Sequence, residues 1–337
     1  MYSFDWSKAY PVVPGIAQFK SAPEDFIVEE TLSFELTGEG EHLYFYIEKA
    51  SLSTTYVADQ LARWAGVGGR DVSFAGLKDR QSVSRQWFSV WMPGKPLPEL
   101  PFDLPNTSVL VMKKHDKKLR RGAIRENRFC ILLRQVSADK TEIEKRLALI
   151  SAEGVPNYFG PQRFGHQGAN IPDALQVLSR RKINRERKSM LISAVRSYLF
   201  NASLDHLVRD GSWKQVVNGQ PLQLSGTKSW FLAEDSESEA DRVVTGDCSP
   251  TCSLYAGSQG RDYVPPTASE QQVYEQFPEL TSLLDKERLD HARRATILRV
   301  SGLIFEWQGD DLKVEFGLPT GTYATGVLSE LIAVNEA

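Results

Sequence analysis

The segment ATILRVSGLIFEWQGDDLKVEF, Ala295 to Phe316, decides how this chain is organised. Its apolar residues group into three short runs, Ala295–Val300, Leu303–Trp307 and Leu312–Phe316, each with the length and bounding residues of a β-strand. A terminal helix is expected from Thr322. Two or three strands and one helix cannot bury a core alone. They are expected to complete a sheet begun near the N-terminus, which makes the middle of the chain an insertion into a discontinuous domain. The expected boundaries are 1–153 plus 299–337 for that domain and 154–298 for the insert.

Before Gly154 the pattern is mixed α/β. Alternation in Phe26-Ile27-Val28-Glu29 and the run Leu43–Ile47 predict strands, as do Val72–Ala75, Gln86–Trp91 and Phe129–Val136. Thr54 or Thr55 is placed to cap a helix with Val57, Ala58, Leu61, Ala62 and Trp64 on one face, ending at Gly66. Thr141-x-x-Glu144 reads as a capping box opening a helix that buries Ile143, Leu147 and Ile150. From Gly154 to Leu298 longer helical segments such as Ser189–Asp210 alternate with Gly/Pro/Ser-rich loops.

The chain has 337 residues, 41% hydrophobic and 25% charged, an ordinary globular composition that two structural units would share. No uninterrupted apolar run is long enough to span a membrane, and the N-terminal residues do not read as a signal peptide. Three cysteines without a CxxC pair suit a reducing, cytoplasmic compartment. Net charge is -3, yet charge is unevenly spread. Lys113 to Arg128 holds eight basic residues against Asp116 and Glu126, and Arg180 to Lys188 holds six against Glu186. Such local basic faces suit phosphate backbones, although each run could equally be a solvated surface.

Several chemistries find no motif. Gly66-Val67-Gly68-Gly69 lacks the spacing of a nucleotide-binding loop, the five histidines show no HExxH or HxH pattern, and Cys248-x-x-x-Cys252 has no second ligand pair. No metal and no nucleotide cofactor is expected. There is no GxSxG elbow. What remains is Ser73-Phe74-Ala75-Gly76-Leu77-Lys78-Asp79-Arg80-Gln81. A strand ending in glycine presents Asp79 between two cations, which would keep it ionised, as a nucleophile requires. The same residue could be a turn former or a salt-bridge partner.

GLKDRQSVSRQW, residues 76–87, closely resembles the catalytic motif of the TruD family of tRNA pseudouridine synthases. Lys20-x-x-Pro23-Glu24-Asp25-Phe26-Ile27-Val28-Glu29-Glu30 resembles its KxxPEDFxVxE signature. Glu126-Asn127-Arg128-Phe129 resembles its GNxF motif, with Glu in place of glycine. Asn157 to Gly165 matches NYFGxQRFG, and Leu318-Pro319-x-Gly321-x-Tyr323-Ala324-Thr325 resembles LPxGxxAT, with Tyr323 where many members have Phe. A Pro-Thr-Gly turn common late in the family's insert is replaced by Pro250-Thr251-Cys252. The five matches run in family order from residue 20 to residue 325.

The resemblance implies an α/β (α+β) catalytic domain with a mixed, largely antiparallel sheet, split by a family-specific insert. It implies an isomerase that converts uridine to pseudouridine at position 13 of tRNA without a cofactor, with Asp79 as its essential carboxylate. A base taken out of folded tRNA is held by stacking. Phe26 and Phe129 are the candidate aromatic walls, with Tyr323 a third; for each the alternative is plain core packing. Asn127 could donate to a carboxylate or to a uracil carbonyl, or cap a turn, and Lys20 could pair with Asp79. Gln162, Arg163 and Phe164 are expected to shape a cleft or a hinge. The expected partner is tRNA, with no membrane, and the protein is expected to act as a monomer. Two rival classes share these features: a non-catalytic RNA-binding protein or chaperone, and a nucleoside hydrolase or glycosylase.

Overall fold

A computed structural model describes residues 2–96, 98, 101–178, 183–257 and 263–336. From the N-terminus the elements are β1 (Ile16–Phe19), β2 (Phe26–Leu32), β3 (His42–Ala50), α1 (Thr54–Ala65), β4 (Val72–Phe74), β5 (Val83–Trp91), β6 (Thr107–His115), β7 (Ile124–Leu133) and α2 (Lys140–Glu153). The middle of the chain forms β8 (Val155–Pro156), α3 (Asn170–Val177), α4 (Arg185–Arg209), β9 (Pro221–Leu224), β10 (Trp230–Leu232), α5 (Ser236–Thr245), β11 (Cys248–Leu254), α6 (Ala268–Gln276), α7 (Pro278–Asp285), β12 (Ala292–Ala295) and β13 (Ile297–Leu298). The chain closes with β14 (Ser301–Gln308), β15 (Asp311–Pro319), α8 (Ala324–Leu331) and β16 (Ala333–Glu336).

These elements form two compact units. One comprises Pro14–Glu144, Val300–Gly321 and Ile332–Ala337, and is built on a mixed sheet in the order β14-β15-β7-β2-β5-β3-β6. All its neighbours are antiparallel except β2 and β5. One edge of β5 is shared, with β2 pairing Val83–Arg85 and β4 pairing Phe88–Val90. Successive side chains of a strand point to opposite faces. Leu43, Phe45 and Ile47 of β3 therefore join Phe88 and Val90 of β5 under Val57 and Leu61 of α1, all at most 4% exposed. Each such burial is worth about 1.5–3 kcal/mol.

Ser53 caps α1 by accepting the Tyr56 N–H at 3.2 Å, one residue before the expected threonines, and Gly66 ends the helix at φ 61°. Thr54 is instead buried. Asp139, accepting from the Glu142 N–H at 3.0 Å, takes the capping place expected of Thr141. β6, at one edge of the sheet, exposes Val109, Leu110, Val111 and Met112 alike. It was not expected as a strand, because an edge open on both faces carries no alternation.

The other unit comprises Met1–Val13, Lys145–Arg299 and Thr322–Leu331. Its long central helix is α4, and its four-stranded sheet runs β10-β9-β11-β12. Residues 1–13, 145–153, 299 and 322–331 thus depart from the expected boundaries. Aromatic rings explain the first: Trp6 stacks on Tyr158 at 6.0 Å, and Phe4 meets Phe164 at 5.1 Å. The run expected as one strand at Ala295–Val300 breaks at Thr296, whose hydroxyl donates to the Trp213 and Pro250 carbonyls. Its pieces pair with β11 and β8 in this unit, while β14 and β15 extend the large sheet. Pro250-Thr251-Cys252 lies inside β11 and is no turn. Among the described residues no helix is long and apolar enough to cross a membrane.

Candidate active site

Asp79 lies in the loop from β4 to β5, and that loop is pinned at several points. Gln86 of β5 donates from Nε2 to the Gly76 carbonyl at 2.6 Å, and Thr54 Oγ1 accepts the Lys78 N–H at 3.0 Å. Thr54 in turn donates to Gln86 Oε1 at 2.9 Å. The Lys78 ammonium pairs with the buried carboxylate of Glu30, whose second oxygen accepts the Trp87 N–H at 2.9 Å. Lys78 is therefore engaged by Glu30 and forms no ion pair with Asp79 among the described residues.

The cation that serves Asp79 is Lys20. Its Nζ lies 2.6 Å from Asp79 Oδ2 and 3.5 Å from Glu336 Oε1, with only 6% of the side chain exposed. Lys20 sits at φ 60°, a left-handed conformation that costs a non-glycine residue energy and often marks a functional turn. The same ammonium lies 5.0 Å from the ring centroids of Phe19 and Phe26. Asp79 Oδ1 accepts the Gln81 N–H at 3.0 Å. Partial burial pushes the Asp79 carboxyl up. The hydrogen bond and charge of Lys20, with the N–H groups of Gln81 and Arg80, outweigh it and hold the carboxyl below the usual range. Asp79 is ionised at neutral pH, and its contribution to stability is lost only as pH falls through that depressed value.

Phe26 and Phe129 share one sheet face and stack at 5.9 Å. Phe19 and Phe316 continue the row at 5.5 and 5.6 Å. The outer pair are fully covered, whereas Phe26 and Phe129 each keep 8% exposure. Asn127 lies two residues from Phe129, opposite Glu30 and Leu318, and its Oδ1 is buried without a hydrogen-bond partner among the described residues. Glu126, in place of glycine, fits because Gly317 leaves room for it: a Cβ there would come within 2.8 Å of Glu126 Oε2. Asp79, Lys20, Phe26, Phe129 and Asn127 therefore belong to one unit.

The remaining site candidates fold with the other unit. The Tyr323 ring lies against Gly160, where a Cβ would approach it to 3.0 Å. Phe164 is 1% exposed and packs on Phe4 and Tyr198, so its side chain serves the core there. Gln162 is exposed, and Arg163 lies 5.2 Å over the Phe159 ring and donates to Ser193. Arg294, unnoticed in the sequence, stacks on the same ring at 4.1 Å. Burial brings its pKa down to about 10, with Tyr323 pulling it up and Arg163 down.

Most of the first basic run is exposed: Lys113 and Lys114 on β6, then Lys117, Lys118, Arg120, Arg121 and Arg125. Arg128 is already paired with Glu315. In the second run Arg187 and Lys188 hold Asp173 and Glu287, while Arg180, Arg181 and Lys182 lie outside the described residues.

A model of the family tRNA pseudouridine synthase D (TruD) matches residues 12–171 and 166–331. A curated tRNA pseudouridine synthase D from Pseudomonas entomophila (strain L48) is 41% identical over 322 residues, covering 94% of this chain and 92% of the relative. A crystal structure from Methanosarcina mazei, described as a tRNA pseudouridine synthase D, superposes with a TM-score of 0.71. At 21% identity, over 98% of this chain and 95% of that one, it shows a shared fold. The motifs, the sheet and these matches agree: the chain belongs to the TruD family of tRNA pseudouridine synthases.

Proposed function

We propose that this protein isomerises uridine to pseudouridine in tRNA, at position 13, with Asp79 as the essential carboxylate. One observation carries the reading. The Lys20 ammonium contacts Asp79 at 2.6 Å and the Phe26 ring at 5.0 Å, so an ionised carboxylate and an aromatic wall share one cation. Attack on the anomeric carbon, attack on the base and abstraction of a sugar proton all require such a carboxylate. Phe26 and Phe129, each 8% exposed, are the rings to meet the extruded base, and the buried, unpartnered Asn127 Oδ1 suits a uracil N3–H. Incubation with unmodified tRNA and mapping of pseudouridine tests the reading. Free uracil would make the protein a hydrolase, and binding without product would make it an RNA-binding protein.

Lys20→Met should leave burial of Asp79 unopposed by an ion pair. The carboxyl then rises, and the acid limb of kcat/KM moves to higher pH, while Lys20→Arg keeps it near the parent's position. An acid limb unmoved in the Met variant would remove Lys20 from the mechanism.

The tRNA backbone is proposed to lie along the exposed Lys113–Arg125 run, whose lysines and arginines form no ion pair with a carboxylate among the described residues. Neutralising Lys113, Lys114, Lys117 and Lys118 should weaken tRNA binding. It should also reduce the slope of log K against log salt by about 0.7–0.9 for each lost phosphate contact. An unchanged slope would make the run a solvated face.

A further inference from the structure

Lys49 is fully buried, on the same face of β3 as Leu43, Phe45 and Ile47. Burying an ammonium is costly, and an apolar side chain would continue this face more cheaply. Lys49 forms no ion pair with a carboxylate among the described residues; its Nζ donates to the Leu52 carbonyl at 2.7 Å. That bond closes the turn between β3 and α1, in which Ser51 is held at φ 57°. A serine in the left-handed region needs outside restraint.

The turn is what the Asp79 loop is fastened to. The Ser51 N–H donates to the Ser82 carbonyl at 3.2 Å, and Arg80 Nε donates to the Ser51 carbonyl at 3.3 Å. Thr54 Oγ1 accepts the Lys78 N–H at 3.0 Å. Residues on both sides of Asp79 are thus tied to residues 51–54. We infer that Lys49 is a positioning residue for Asp79, acting through the 51–54 turn that its ammonium holds. This rests on the reading of Asp79 as the essential carboxylate.

Burial, then the charge of Lys78, brings the Lys49 pKa down to about 8, against the pull of Asp79 and Glu30. An amine still donates to Leu52, so the anchor survives deprotonation.

Steady-state kinetics on tRNA, with rates expressed per folded active site, test the inference. Lys49→Met should lower kcat on the order of ten- to a hundredfold with KM unchanged, as misplacement of a reacting group does. Lys49→Gln, which keeps an N–H donor, should recover a substantial part. Thr54→Val, which releases Lys78 from the same turn, should also depress kcat and spare KM. A folded Lys49→Met protein with the parent's kcat would overturn the inference. So would a Gln variant no better than Met or, should Met fail to fold, a Thr54→Val protein with unchanged kcat. The parent enzyme separates the two questions: parent protein that makes no pseudouridine sinks the reading of Asp79, whereas active parent beside an equally active Lys49→Met sinks only the role of Lys49.

Discussion

Asp79→Asn protein should fold, bind tRNA nearly as well as the parent, and form no detectable pseudouridine. The amide can still accept the Gln81 N–H that Asp79 Oδ1 now accepts at 3.0 Å, so the turn keeps its shape. It cannot carry the charge that every route through this residue needs. The ion pair with Lys20 is lost, but the ammonium retains Glu336 at 3.5 Å and the Phe19 and Phe26 rings. Asp79 is itself 36% exposed, so the melting temperature should fall little. Product, affinity and melting temperature are best measured on one preparation. A stable variant that turns over near the parent rate would end the mechanism proposed here.

Phe129→Leu should keep the fold and lose activity far beyond any loss of affinity. Phe129 packs between Phe26 and Phe316, so truncation to alanine costs about 3–5 kcal/mol of stability and confounds core packing with stacking. Leucine fills most of that volume without a π-face. Base–aromatic stacking is worth roughly 1–3 kcal/mol, which corresponds to a fall in kcat of roughly 5- to 150-fold. Phe129→Tyr, with its ring intact, should retain much of the rate. Equal kcat for Leu and parent would leave Phe129 as a core residue only.

Much of the first unit's sheet was legible because one face is buried. Phe26, Val28 and Glu30 alternate along β2, and the same period applied to Leu43, Phe45 and Ile47 marks Lys49 as inward-facing, a sign easily passed over among polar neighbours. Asp79 was legible as a motif, but physics alone left it open between nucleophile and turn. Its partner could not be chosen either: the adjacent Lys78 turns inward to Glu30, and the cation that matters lies 59 residues away. Thr54, Gln86 and Glu30 act through pairings between strands and helix that no local spacing encodes. Residues 2–13 have no period at all, and long-range contacts such as Trp6 on Tyr158 and the Ser7 N–H to Asp205 assign them to the second unit.

β6 has a consequence for colloidal behaviour. A long exposed edge with Val109, Leu110, Val111 and Met112 uncovered is a template on which another chain can add a strand. Lys113 and Lys114 stand at its end and discourage that pairing by charge, as gatekeepers do. Removing their charges therefore does two things at once: it takes away contacts for phosphate and unblocks a sticky edge. Turbidity or light scattering on the neutralised protein should rise as salt screens what charge remains, most steeply in samples without RNA.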